Sequence, residues 1–143
     1  MSEIIVRRAT RQDFKAVQEI HLAGGIEMLT NGGPMEIADM ELHIGDENGI
    51  FGVAEIEGEI VGFIYGEKLI DRWAFAHYFA VRPDYRGSTV FKHLGEYFID
   101  QSKSRGAKYI FGYANSNNER LINFYKRFGF TAGGTYTELI KEI

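Results

Sequence analysis

Two clusters of side chains along this chain have the types and spacing to do chemistry. The first, Val81-Arg82-Pro83-Asp84-Tyr85-Arg86-Gly87-Ser88-Thr89-Val90, reads as a strand end, an Arg-Gly turn and the start of a helix. Backbone N–H groups in such a turn, beside the positive end of a helix dipole, make a place for phosphate. A plain strand-to-helix turn is the competing reading. The second cluster is Asn118-Glu119-Arg120-Leu121-Ile122-Asn123-Phe124-Tyr125-Lys126-Arg127-Phe128-Gly129-Phe130. A phenol with an ordinary pKa of about 10 is protonated at neutral pH and can donate to a departing anion. Tyr125 could equally be a core aromatic on an amphipathic helix. His77 precedes the turn, and an imidazole titrating at about 6.5 can take a proton directly or through water. A packed strand histidine with satisfied nitrogens is its alternative. Strict strand alternation predicts His77, Phe79 and Val81 on one face.

The elements that must hold these groups can be read from the pattern. Residues 4–8 form a first strand, and Thr10 with Asp13 signals a helix start of the capping-box kind. Phe14, Val17, Ile20 and Leu22 follow helical spacing. The glycines at 24–25 and the Asn31-Gly32-Gly33-Pro34 run interrupt that pattern, and residues 35–44 resume as a helix. Residues 50–56 and 59–66 are β-like runs joined by Glu57-Gly58, a hairpin signal. Residues 73–81 make a third apolar strand closed by Pro83. A helix over 90–103 presents Leu94, Tyr97, Phe98 and Gln101 around a buried face and ends at Arg105-Gly106. A short strand at 109–113, a helix at 119–128 and a last strand at 135–143 complete the order. This predicts an α/β fold of the α+β type: a mixed, mostly antiparallel central sheet with helices on both faces. Crevices in mixed sheets lie near the C-terminal ends of strands where neighbours diverge, which is where both clusters begin.

Composition bounds the class. A chain of 143 residues, 45% hydrophobic and 25% charged, fits one globular domain spanning 1–143. No cysteine is present, which excludes disulfides, thiolate metal sites and a cysteine nucleophile. The N-terminus lacks a basic region followed by a long apolar run, and no stretch reaches the roughly 18 apolar residues of a span, so a cytoplasmic protein without membrane contact is expected. Net charge is −4, which argues against a nucleic-acid partner. Residues 1–67 hold 13 acids and 4 bases, whereas residues 68–143 hold 7 acids and 12 bases. Such a split suits a polyanionic cofactor on the later half and a cationic acceptor on the earlier one, although uneven solvated faces would give the same count.

The order of the two clusters resembles the GNAT superfamily of acyl-coenzyme A-dependent N-acyltransferases. In that family the turn reads Arg or Gln, two residues, Gly, one residue, then Gly or Ala. Arg86, Gly87, Ser88 and Val90 sit in this frame, with Thr89 at the first patterned glycine and Phe91 at the Gly or Ala. The Phe91 ring either fills space near a pyrophosphate or turns into the core and leaves the turn intact. Asn118 and Tyr125 fall at the family's Asn and Tyr, with Leu121 at the usual Ala. The resemblance implies an enzyme using acetyl-CoA as cosubstrate, held by Phe79, Val81, Arg86, Gly87, Ser88, Thr89, Val90 and Asn118. Asn118 would bond the pantetheine arm or a neighbouring backbone group. Tyr125 is implied as general acid for the leaving thiolate, and His77 stands where many members carry a basic Glu. Backbone N–H groups near Phe79 and Val81 would polarise the thioester carbonyl. Transfer would be direct, in a ternary complex, to a small-molecule or peptide amine. A homodimer is compatible with the family, and a GNAT-fold binding module without catalysis is the alternative function.

No metal is expected. His21, His43 and His93 share no ligand spacing with nearby carboxylates, and Asp39, Glu41, Asp46 and Glu47 lack the ligand alternation of a calcium loop. Those acids read as a solvated edge, with amine recognition as a second option. Ser102 and Ser104 lack a nucleophile-elbow context, and no Gly-Lys-Ser/Thr follows the Arg-Gly turn.

Overall fold

The computed structural model describes residues 2–23, 37–87, 89–139 and 141–143. These fall into two compact units, one holding the sheet and running to Gly112, the other running from Tyr113 to Ile143.

The first unit is built on a five-stranded sheet in the order β1 (Ile4–Arg8), β2 (Gly49–Ile56), β3 (Glu59–Lys68), β4 (Trp73–Val81) and β5 (Tyr109–Phe111). The first three pairings are antiparallel and the last is parallel, so the sheet is mixed and mostly antiparallel as expected. The β2–β3 hairpin closes through Glu57 (φ 51°) and Gly58 (φ 82°), two left-handed residues that match the twist of the strands.

Helices cover both faces of this sheet. On one face α1 (Phe14–Ala23) and α2 (Ile37–Ile44) pack Phe14, Val17, Ile20 and Met40 against Phe51, Val53, Phe63 and Tyr65. On the other, α3 (Val90–Ser104) packs Val90, Leu94 and Phe98 against Ile50, Ala54, Ile64, Ala74, Ala76 and Val81. Val90, Leu94, Phe98 and Ser102 form the buried stripe of α3, an i, i+4 ladder, while Tyr97 and Gln101 flank it half-buried. Before α1, Asp13 closes a 3₁₀ turn (Arg11–Asp13) by accepting the Thr10 N–H at 2.7 Å. The fourth buried position of α1 is His21, 3% exposed, and not Leu22. Position 21 lies seven residues after Phe14, two full turns and the same face, whereas 22 is rotated past it.

The second unit holds α4 (Glu119–Arg127). Residues 130–139 and 141–143 carry no regular structure, which overturns the expected strand at 135–143. Their Tyr, Thr, Leu and Ile content gives strand propensity, but Tyr136 and Leu139 are 80% and 90% exposed. Propensity without burial does not hold a strand. The start of the helix expected over 35–44 lies outside the described residues. Among the described residues, no helix is long and apolar enough to cross a membrane.

Candidate active site

Within the first unit the site is organised by what happens along β4. Its parallel pairing with β5 covers only Trp73, Ala74 and Phe75, opposite Tyr109, Ile110 and Phe111. From Ala76 to Val81 no strand among the described residues pairs with β4 on that side. The Arg82 N–H donates to the Val61 carbonyl at 2.8 Å, so the backbone of Arg82 faces β3. Alternation then aims the backbone groups of Phe79 and Val81 at the side where β5 has diverged.

The strand also carries a β-bulge. Tyr65 pairs with Tyr78 and Gly66 with Ala76, leaving His77 as the extra residue. This overturns the expectation that His77, Phe79 and Val81 share a face. Ala74, Ala76, Phe79 and Val81 belong to the α3 side, whereas Tyr78 and Ala80 pack on the α1/α2 side. His77 joins them there, its ring stacked on Tyr65 at 5.1 Å and edge-on to Phe75 at 4.3 Å.

Around His77 stands a group of polar rings and one carboxylate. Glu67 Oε1 lies 3.4 Å from His77 Nε2, an ion-pair distance outside hydrogen-bond geometry. Tyr65 Oη and His43 Nδ1 share a hydrogen bond of 2.5 Å, with ring centroids 4.2 Å apart. Burial lowers the pKa of His77, with Glu67 opposing the shift, and so favours neutral imidazole. Burial acts the same way on His43, against Glu67, Asp39 and Asp46. Tyr65 is pushed far above the usual phenol value by burial, the nearby carboxylates adding to the shift, and stays protonated. Glu67, Tyr65 and His43 were missed as site residues. Glu67 reads as an ordinary charge at a strand end, although its two-residue spacing from Tyr65 puts both on one face.

At the end of β4, Pro83–Tyr85 form a 3₁₀ turn, and the Arg86 N–H donates to the Pro83 carbonyl at 3.3 Å. Gly87 follows with φ 84°, a left-handed conformation that side chains resist. Ser88 lies outside the described residues. Thr89 precedes α3 without making a side-chain cap, and its carbonyl accepts from the N–H and Nδ1 of His93 at 3.1 and 2.9 Å. Val90, the first helical residue, is fully buried and anchors this end. Of the two dispositions open to Phe91, the ring packs on the α3-side core, edge-on to Phe79 at 5.9 Å.

In the second unit Asn118 is the N-cap of α4, its Oδ1 accepting the Leu121 N–H at 3.1 Å. Its predicted backbone partner is therefore its own helix. Burial pushes Tyr125 up to about 12, so its phenol keeps its proton through neutral pH.

Comparisons with known proteins agree with this architecture. The chain is 30% identical over 122 residues to an acetyltransferase of Pectobacterium atrosepticum, covering 85% of this chain and 84% of that one. It is 34% identical over 91 residues to an uncharacterized N-acetyltransferase of Methanocaldococcus jannaschii, covering 59% of this chain and 40% of that one. The chain spans less than two thirds of the length of three of the curated relatives it matches. Among solved structures, an aminoglycoside N-acetyltransferase in complex with CoA superposes with a TM-score of 0.83 at 16% identity, over 100% of this chain and 97% of that one. The family profile described as acetyltransferase (GNAT) family matches residues 16–130, and the chain belongs to that family.

Proposed function

We propose that this chain is an N-acetyltransferase that moves an acetyl group from acetyl-CoA to a primary amine by direct transfer in a ternary complex. The observation that carries this reading is the divergence of β4 from β5 after Phe75, with the Gly87 turn and the start of α3 at the far end of the same strand. An extended amide-bearing arm suits the backbone groups of Phe79 and Val81. A pyrophosphate suits the turn at Arg86 and Gly87 and the positive end of the α3 dipole. The residues present therefore fit coenzyme A. Phe91 packs edge-on to Phe79 on the α3-side core, which speaks for catalysis over an inert binding module.

Acetyl-CoA supplies an activated thioester, and the chain supplies orientation and proton handling. In this reading the N–H groups near Phe79 and Val81 stabilise charge on the carbonyl oxygen. Neutral His77 accepts the amine's proton, and Tyr125, held protonated, donates to the departing thiolate. Structural neighbours that are an aminoglycoside N-acetyltransferase and a ribosomal-protein-S18-alanine N-acetyltransferase support a small molecule or a peptide as the acceptor class.

Thermal unfolding with and without acetyl-CoA tests the cofactor half. Ligand at about 100 times its Kd should add about 2.7 kcal/mol of stability, and Arg86→Ala should weaken the response. Thiol release on adding a panel of primary amines tests the transfer. No thermal response at millimolar acetyl-CoA would remove the proposal.

A further inference from the structure

His77 Nε2 is buried, yet its carboxylate neighbour is not. The Glu67 side chain is 31% exposed against 26% for that of His77, and its Oε1 lies 3.4 Å from the buried nitrogen. Among the described residues, the other titratable groups near His77 engage each other. Tyr65 is 2% exposed and bonded to His43, and Tyr78 lies edge-on to the buried His21. Asp39 and Asp46 act on His43 and Tyr65.

We propose that Glu67 is the group that meets the acceptor's ammonium, and that His77 receives the proton from behind it. The inference rests on the reading above in which His77 is the proton acceptor. It adds that the site selects a cationic alkylamine through a carboxylate on β3 that the chain's motifs do not announce. The balance is simple. The ammonium pairs with ionised Glu67; its N–H bond breaks as the proton passes to the carboxylate and on to the free Nε2 of the Nδ1–H tautomer, leaving an imidazolium paired with ionised Glu67. The amine is left neutral with its lone pair free to attack. Burial keeps His77 neutral beforehand, with Glu67 opposing the shift from 3.4 Å away.

The test reads His77 directly and needs no transfer activity. The ring resonances of His77, assigned by their loss in His77→Asn, are titrated with pH in the wild type, Glu67→Gln and Glu67→Asp. Each is measured with n-butylamine hydrochloride or with potassium chloride at equal ionic strength. Removing the carboxylate should lower the His77 midpoint by about half a pH unit or more. Butylammonium should lower it further in the wild type, since two cations then compete for one carboxylate, and have no effect in Glu67→Gln. Glu67→Asp should recover part of the response, and unchanged His93 signals in α3 report an intact fold. An amine response of equal size in Glu67→Gln, or none in the wild type, overturns the proposal. Failure of acetyl-CoA to bind would overturn the transferase reading while leaving this titration readable.

Discussion

Phe130 sits edge-on against Tyr125, ring centroids 5.1 Å apart, and its N–H donates to Tyr125's own carbonyl at 3.2 Å. With the Gly129 N–H on the Lys126 carbonyl at 3.0 Å and Gly129 at φ 86°, these contacts form a Schellman close to α4. The helix end and the orientation of the proposed acid are thus one structure.

Gly129→Ala should therefore cost about 1 kcal/mol through its backbone alone, because an added Cβ meets nothing within 4 Å. Phe130→Ala should uncover Tyr125 and bring its titration down from about 12 towards the ordinary phenol value. Denaturant unfolding measures the first effect and tyrosinate absorbance the second. An unchanged Tyr125 midpoint in Phe130→Ala would show that other groups bury it.

Tyr125→Phe should slow acyl transfer by about 10²–10⁴-fold while leaving the acetyl-CoA thermal shift in place. An acid with a raised pKa loses its proton only as pH climbs through that value. In the wild type, Tyr125 should then impose no alkaline loss of kcat until pH nears about 12. An alkaline limb near pH 9 that vanishes in Tyr125→Phe would contradict the burial assigned to this phenol.

His21, His43 and His77 all have pKa values lowered by burial. Below about pH 6.5 the unfolded chain binds protons at these positions that the folded chain refuses. Stability is thus whole above that value and lost as pH falls towards the folded-state pKa values. Urea midpoints should drop between about pH 7.5 and pH 5, and His21→Phe should flatten the drop. Midpoints that hold constant over this range would rule the linkage out.

Asp13 behaves in the same sense at lower pH. Burial pushes its carboxyl up, but bonds from Arg7, at 2.8 and 2.9 Å, and from Thr10 outweigh this and hold it below the usual range. Its stabilisation is present above about pH 4 and disappears as pH falls through the lowered folded value. Asp13→Asn should cost about 2 kcal/mol at neutral pH, a modest figure because Arg7 is 36% exposed. The gap between wild type and variant should close as Asp13 protonates, which urea unfolding at about pH 2.5 would show.

Much of the fold was legible because local signals and burial agree. Glu57-Gly58 marks the hairpin and Arg105-Gly106 the end of α3; of the expected α3 face Leu94 and Phe98 are buried, while Tyr97 and Gln101 stay half-buried and Val90 and Ser102 complete the stripe. The Thr10–Asp13 signal was realised through Asp13's bond to the Thr10 N–H. The site was less legible because its geometry depends on pairing between strands. Nothing in Ala76-His77-Tyr78-Phe79-Ala80 distinguishes a bulge from an unbroken strand, since the extra residue exists only relative to β3. Glu67 went unseen for the same reason: the imidazole it faces lies ten positions away on the next strand. The strand expected at 135–143 failed in the opposite direction, where favourable residue types found no burial.

The bulge has a consequence for how this strand tolerates change in length. Skipping position 77 restores unbroken alternation: Ala74, Ala76, Phe79 and Val81 fall in step on one side, with Phe75, Tyr78 and Ala80 on the other. In spacing, the strand is a regular one into which a single imidazole has been spliced. A chain shortened by that one residue should keep its ladder and both cores while losing the His77 ring with its contacts to Tyr65, Phe75 and Glu67, so for folding, deletion here would be milder than at either neighbour.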